Sequence, residues 1–107
     1  MLDKVEIYIL KRSKNLPSVW NPQELIRGYN KNKRIFEIYK FDDYDIGIMR
    51  DKYLDNTFIL NLLKQLEIEY TYRTKYDYKW YGLYSNQDYE RIKIYFQILG
   101  ITETYKV

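Results

Sequence analysis

At 107 residues the chain fits a single domain, and with 46% hydrophobic and 31% charged residues it has a globular rather than a disordered composition. It contains no cysteine and no histidine, which excludes disulfides, thiolate chemistry, histidine-based triads and the usual zinc sites. Carboxylate, lysine or tyrosine chemistry remains, with or without Mg²⁺, and the net charge of +3 is only a weak attraction for polyanions.

No segment approaches the roughly 20 apolar residues that a membrane-spanning helix needs. Met1-Leu2-Asp3-Lys4-Val5-Glu6 places acids where a secretory signal would be basic and then apolar, so the expectation is a cytoplasmic protein with no membrane partner. Alanine is absent, while Ile, Lys, Tyr and Asn, whose codons are AT-rich, are abundant. That bias fits an AT-rich cellular genome, or a phage or virus of such a host. It also means that codon usage alone accounts for part of the 14 tyrosines.

In chain order, Val5, Ile7 and Ile9 alternate with Glu6 and Tyr8, the period of a half-buried strand. Asn21-Pro22-Gln23-Glu24 has the form of a helix start, with Leu25, Ile26 and Tyr29 turned inward and Gly28 and the Asn30-Lys31-Asn32-Lys33 run limiting the length. Residues 34–41 and 44–50 read as strands joined by a turn at Asp42-Asp43. Phe58, Ile59, Leu62, Leu63 and Leu66 form a helical stripe after a cap at Asp55 or Asn56. Strand periodicity returns from Ile68, turns near residues 75–77 and continues through residues 78–84. Ser85-Asn86-Gln87-Asp88 opens a last helix with Ile92, Tyr95, Phe96 and Leu99 inward and Gly100 as its stop, and residues 102–107 read as a tail.

The expected order is therefore β-α-β-β-α-β-β-α. Residues 1–107 then form one α+β domain, a small single-layer, mainly antiparallel sheet with helices packed on one face. If Val5, Ile7, Ile9, Phe36 and Ile38 face the helices, Tyr8 and Tyr39 lie on the other side with Glu6 and Glu37. From Asn21 onward this order resembles one half of a LAGLIDADG homing endonuclease, with Glu24-Leu25-Ile26-Arg27-Gly28 in the place of the signature helix. Tyr29, Asn30 and Lys31 follow where that family carries its acidic metal ligand, so the resemblance implies DNA binding without cleavage.

The densest constellation is residues 70–84, where aromatic residues occupy both strand parities among cations. Only one parity of a strand can enter the core, so one aromatic set is expected on an open face or an edge. Stacking by Tyr72, Tyr76, Trp80 and Tyr81, with phosphate contacts from Arg73, Lys75 and Lys79, would suit single-stranded nucleic acid. The same side chains suit a protein interface, either with a host factor or with a second copy in a homodimer through an exposed strand edge. The basic loops Lys11, Arg12, Lys14 and Lys31, Lys33, Arg34 read as solvated. Asp42, Asp43, Asp45 and Asp51, or the Asp77-Tyr78-Lys79 spacing, could serve Mg²⁺, but turns favour the same residues. The four glycines are too far apart for a phosphate or dinucleotide loop, and no cofactor is implied. The sequence reading is a non-enzymatic binding domain, with nucleic acid as first partner, a protein partner as second and a Mg²⁺-dependent nuclease as third.

Overall fold

The computed structural model describes residues 2–11, 22–41, 47–51, 57–75 and 78–107, with the backbone alone at 47–51, 75 and 78. Alternating Val5, Ile7 and Ile9 give β1 (Lys4–Ile9), followed by β2 (Glu24–Asn30), β3 (Lys33–Lys40) and β4 (Gly47–Asp51). Helix α1 (Thr57–Gln65), the hairpin β5 (Tyr70–Lys75) and β6 (Tyr78–Leu83), helix α2 (Asn86–Ile98) and β7 (Thr102–Lys106) complete the chain. The seven strands form one sheet in the order β5-β6-β4-β3-β2-β1-β7. All neighbours are antiparallel except β1 and β7, which run parallel. This is the α+β sheet with helices on one face that the periodicities imply.

Two elements differ from the sequence reading. The segment expected as the first helix is β2, and Gly28 shows why. It lies opposite Phe36 in the register, and a Cβ built on it would sit 2.1 Å from the Phe36 ring. The glycine is therefore the space into which a core aromatic packs, a role that a strand supplies. Leu25 and Ile26, which fit a helical stripe, are instead buried on opposite faces of the sheet. The Lys31-Asn32 pair is the hairpin turn, with φ of 53° and 65°, closed by the pairing of Asn30 with Lys33. Asp3 Oδ2 accepts a hydrogen bond of 2.8 Å from the Lys31 amide and steadies that turn. With a strand at 24–30, the resemblance to the endonuclease half loses its signature helix.

The second difference is the tail, which is β7, an edge strand beside β1. The change of direction that brings it there is made at Gly100, whose φ of 72° ends α2. The Ser85 side chain makes no cap hydrogen bond, although the Asp88 amide donates to the Ser85 carbonyl at 3.1 Å.

Both helices share one core with the sheet: Ile59, Leu62 and Leu63 of α1, Tyr89, Ile92 and Phe96 of α2, and Val5, Ile7, Ile26, Phe36, Ile38, Tyr81 and Leu83 of the strands. Phe36 stacks between Phe58 and Phe96, at centroid distances of 5.7 and 5.6 Å. Polar contacts fasten α2 to the sheet as well, through Lys93–Glu24 at 2.8 Å and Lys40–Glu90 at 2.7 Å. Leu99, expected inward, is half-exposed. No helix among the described residues is long and apolar enough to cross a membrane.

Candidate interaction surfaces of the sheet

Strand alternation and register place Glu6, Tyr8, Arg27, Glu37 and Tyr39 on the face turned away from the helices, as the parity argument requires. One cross-strand row on that face runs through all seven strands: Glu103, Glu6, Arg27, Glu37, Arg50, Trp80 and Arg73. The next row starts Tyr105, Tyr8, Leu25, Tyr39.

The middle of this face satisfies itself. Glu37, 4% exposed, receives Arg27 at 3.0 Å and Arg34 at 3.3 Å. Glu6, 9% exposed, receives Lys4 at 3.2 Å and the Tyr8 hydroxyl at 2.9 Å. Burial alone would raise the Glu6 carboxyl, but hydrogen bonds from Tyr29, Tyr8 and Lys4 hold it below the usual carboxylate range. Burial, and then the bond to Glu6, push the Tyr8 and Tyr29 phenols up. The Arg27 guanidinium lies 5.4 Å from the Tyr8 ring centroid, and the Tyr8 ring stacks on Tyr105 at 5.2 Å. Carboxylates alternate with cations here, so this part of the face offers a phosphate backbone no continuous positive track.

The two ends of the sheet are different. Among the described residues, each outermost strand has a neighbour on one side only. On β5, residues 70–74 are all exposed on one or both faces, and on β7 so are residues 103–106. The outward backbone groups follow from the hydrogen-bond pattern. The Val107 amide donates to the Ile9 carbonyl and the Lys11 amide to the Val107 carbonyl, both at 2.9 Å. Val107 therefore faces β1, and alternation turns the amides and carbonyls of Thr102, Thr104 and Lys106 outward. On β5, Lys75 pairs with Tyr78 across a two-residue connection. The Leu10 amide donates to the Gln23 carbonyl, and carrying that alternation through the registers from β1 to β5 turns the backbone groups of Tyr70, Tyr72 and Thr74 outward.

The seven residues singled out from the sequence do not share one surface. Tyr81 is 1% exposed and belongs to the core, where Tyr70 and Tyr72 pack on it at 5.5 and 5.2 Å between centroids. Tyr72, 52% exposed, and Lys79 lie on the helix side of the hairpin, whereas Arg73 and Trp80 pair on the opposite side. Lys75 pairs with Tyr78 at the end of the ladder, and Tyr76 lies outside the described residues. Gly82 makes room for a cross-strand side chain: a Cβ there would meet Thr71 Oγ1 at 2.6 Å. The edge residues Glu103 and Tyr105 carry no signal in the sequence, where residues 102–107 read as a tail. The Tyr105 hydroxyl donates to Glu103 at 2.5 Å, and this bond, with some desolvation, pushes the phenol up to about 12.

Of the acids considered for Mg²⁺, Asp42, Asp43, Asp45 and Asp77 lie outside the described residues, and Asp51 ends β4. Among the described residues no group of three or more acids could hold a metal ion. Comparisons with protein-family models, curated proteins and solved structures find no match to this chain.

Proposed function

We propose that the chain is a non-enzymatic protein-interaction module that works by strand addition at the ends of its sheet. The observation that carries this reading is the contrast within the helix-free face. Its middle is closed by internal ion pairs, while β5 and β7 each keep an outward row of backbone donors and acceptors beside exposed side chains. Such a row is a template for an extended chain: main-chain hydrogen bonds supply affinity, and alternate side chains supply selectivity. On β5 the flanking residues are Tyr70, Tyr72 and Arg73, types that favour interfaces.

The direct test is selection of extended peptides from a displayed library, followed by Thr74→Pro and Thr104→Pro. Each proline removes one outward amide hydrogen and leaves the inner ladder intact, so the fold should persist. Binders should be lost in at least one of the two variants. Binders indifferent to both would refute the reading.

A second reading keeps nucleic acid as partner, favoured by one pairing. Arg73 lies opposite Trp80 on the helix-free side, and no ion pair among the described residues involves Arg73. A base stacked on the indole with its phosphate at Arg73 fits that pair. Fluorescence anisotropy with single-stranded oligonucleotides at low and high salt should then show a steep salt slope that Arg73→Ala reduces. A flat slope would remove it.

A further inference from the structure

The two edges of the sheet fit each other. Resting on the strand-addition reading, we infer that the partner of β5 is β7 of a second copy, joined head to tail with Arg73 opposite Glu103.

Three independent features of the chain agree on this pairing. The first is direction. Following the pairings across the sheet, β5 runs opposite to β7, so a copy placed beside another in the same orientation brings the two edges together antiparallel. The second is backbone register. With Arg73 opposite Glu103, Tyr70 meets Lys106, Tyr72 meets Thr104 and Thr74 meets Thr102. All six of these residues present their amides and carbonyls outward, so each of the three pairs can exchange two hydrogen bonds. The same register keeps faces matched, because Tyr72 and Thr104 both lie on the helix side and Arg73 and Glu103 both on the other.

The third is charge. The row that crosses the sheet begins with two acids, Glu103 and Glu6, and ends with Trp80 and Arg73 beyond the paired Arg27 and Glu37. Joining the two ends continues the row with opposite charges in contact, across a pair without backbone bonds, where side chains approach most closely. Pairing β5 with another β5 would bring cationic edges together, which is how edge strands ordinarily reject one another. Charge therefore favours β7 over a second β5 as the partner of β5.

An interface between two different edges is heterologous and does not close on itself at two copies. Seven strands per copy, at about 20–25° of twist each, turn the next copy by roughly 140–175°, so the product is an open helical row of molecules with one continuous sheet.

Sedimentation velocity at increasing protein concentration, up to about 1 mM, tests the inference with the full chain and two charge reversals. The unsubstituted protein should grow past the dimer with no closed limit. Arg73→Glu and Glu103→Arg should each weaken association about tenfold or more, because like charges then face each other. An equimolar mixture of the two should restore it as an alternating row, since every contact between one variant and the other is again between unlike charges. Circular dichroism of each variant confirms that the fold is kept. A monomer at all concentrations would overturn the inference, and so would a dimer that grows no further or a mixture no better than its components. Peptide capture that survives such a result would leave the strand-addition reading standing, whereas loss of both would remove both.

Discussion

The middle and the ends of the sheet use the same residue types for opposite purposes. At β1, β2 and β3, tyrosines and charges are consumed internally: Tyr8 donates to Glu6, Arg27 and Arg34 converge on Glu37, and Lys4 lies 5.2 Å from the Tyr29 ring. At β5 and β7, Arg73 and Tyr72 stand exposed beside outward backbone groups, as does Thr104. The difference is one of neighbours. A strand flanked on both sides has each charge met by the next strand, whereas an edge strand is met on one side only. Tyrosine richness is thus no guide to function here until the position of each tyrosine in the sheet is known.

If that contrast is right, substitutions in the middle should cost stability and substitutions at the ends should not. The largest effect is expected at Gly28→Val, where the new side chain must enter space held by the buried Phe36 ring. Overpacking of this kind should cost about 3 kcal/mol in chemical denaturation. Glu37→Ala should follow at about 2 kcal/mol, because it strips Arg27 and Arg34 of their shared carboxylate beneath a well-covered surface. A smaller loss at neutral pH would show that the ion pairs of the middle are no firmer than those of an ordinary surface.

Glu6 sharpens the comparison through pH. Its folded value lies below the ordinary 4.5, so its contribution is complete above that pH and is lost as pH falls through the folded value. Glu6→Gln should lower stability at neutral pH and flatten the acid limb of the stability profile below about 4.5. An unchanged acid limb would remove Glu6 from the account. The smallest effect is expected at the edge: Arg73→Ala should stay within about 0.5 kcal/mol of the unsubstituted protein while altering association.

The sequence made the local elements legible and missed those that depend on distant partners. The stripe Ile59, Leu62, Leu63 and the alternation Val5, Ile7 carry their periods within a few residues, and both predict the helix and strand that the structure has. Glu24–Asn30 was not, because Asn21-Pro22-Gln23-Glu24 imitates a helix start while the strand is held by β1 and β3 on either side. Thr102–Lys106 was not, because a short polar strand shows no apolar alternation and its partner β1 lies at the other end of the chain. At the hairpin, the parity argument was sound in separating Tyr81 from Trp80 but did not decide which of them the helices would cover. Only the packing of α1 and α2 answers that, and with it the placing of Tyr81 in the core.

The most direct test of the central claim, that this protein associates through the two ends of its sheet, is residue-resolved amide hydrogen exchange at low and high protein concentration. The account predicts that the amides of Tyr72, Thr74, Thr104 and Lys106 gain protection together as concentration rises, while those of β2 and β3 stay as they were. Protection that is unchanged at both edges, or gained at one edge alone, would contradict it.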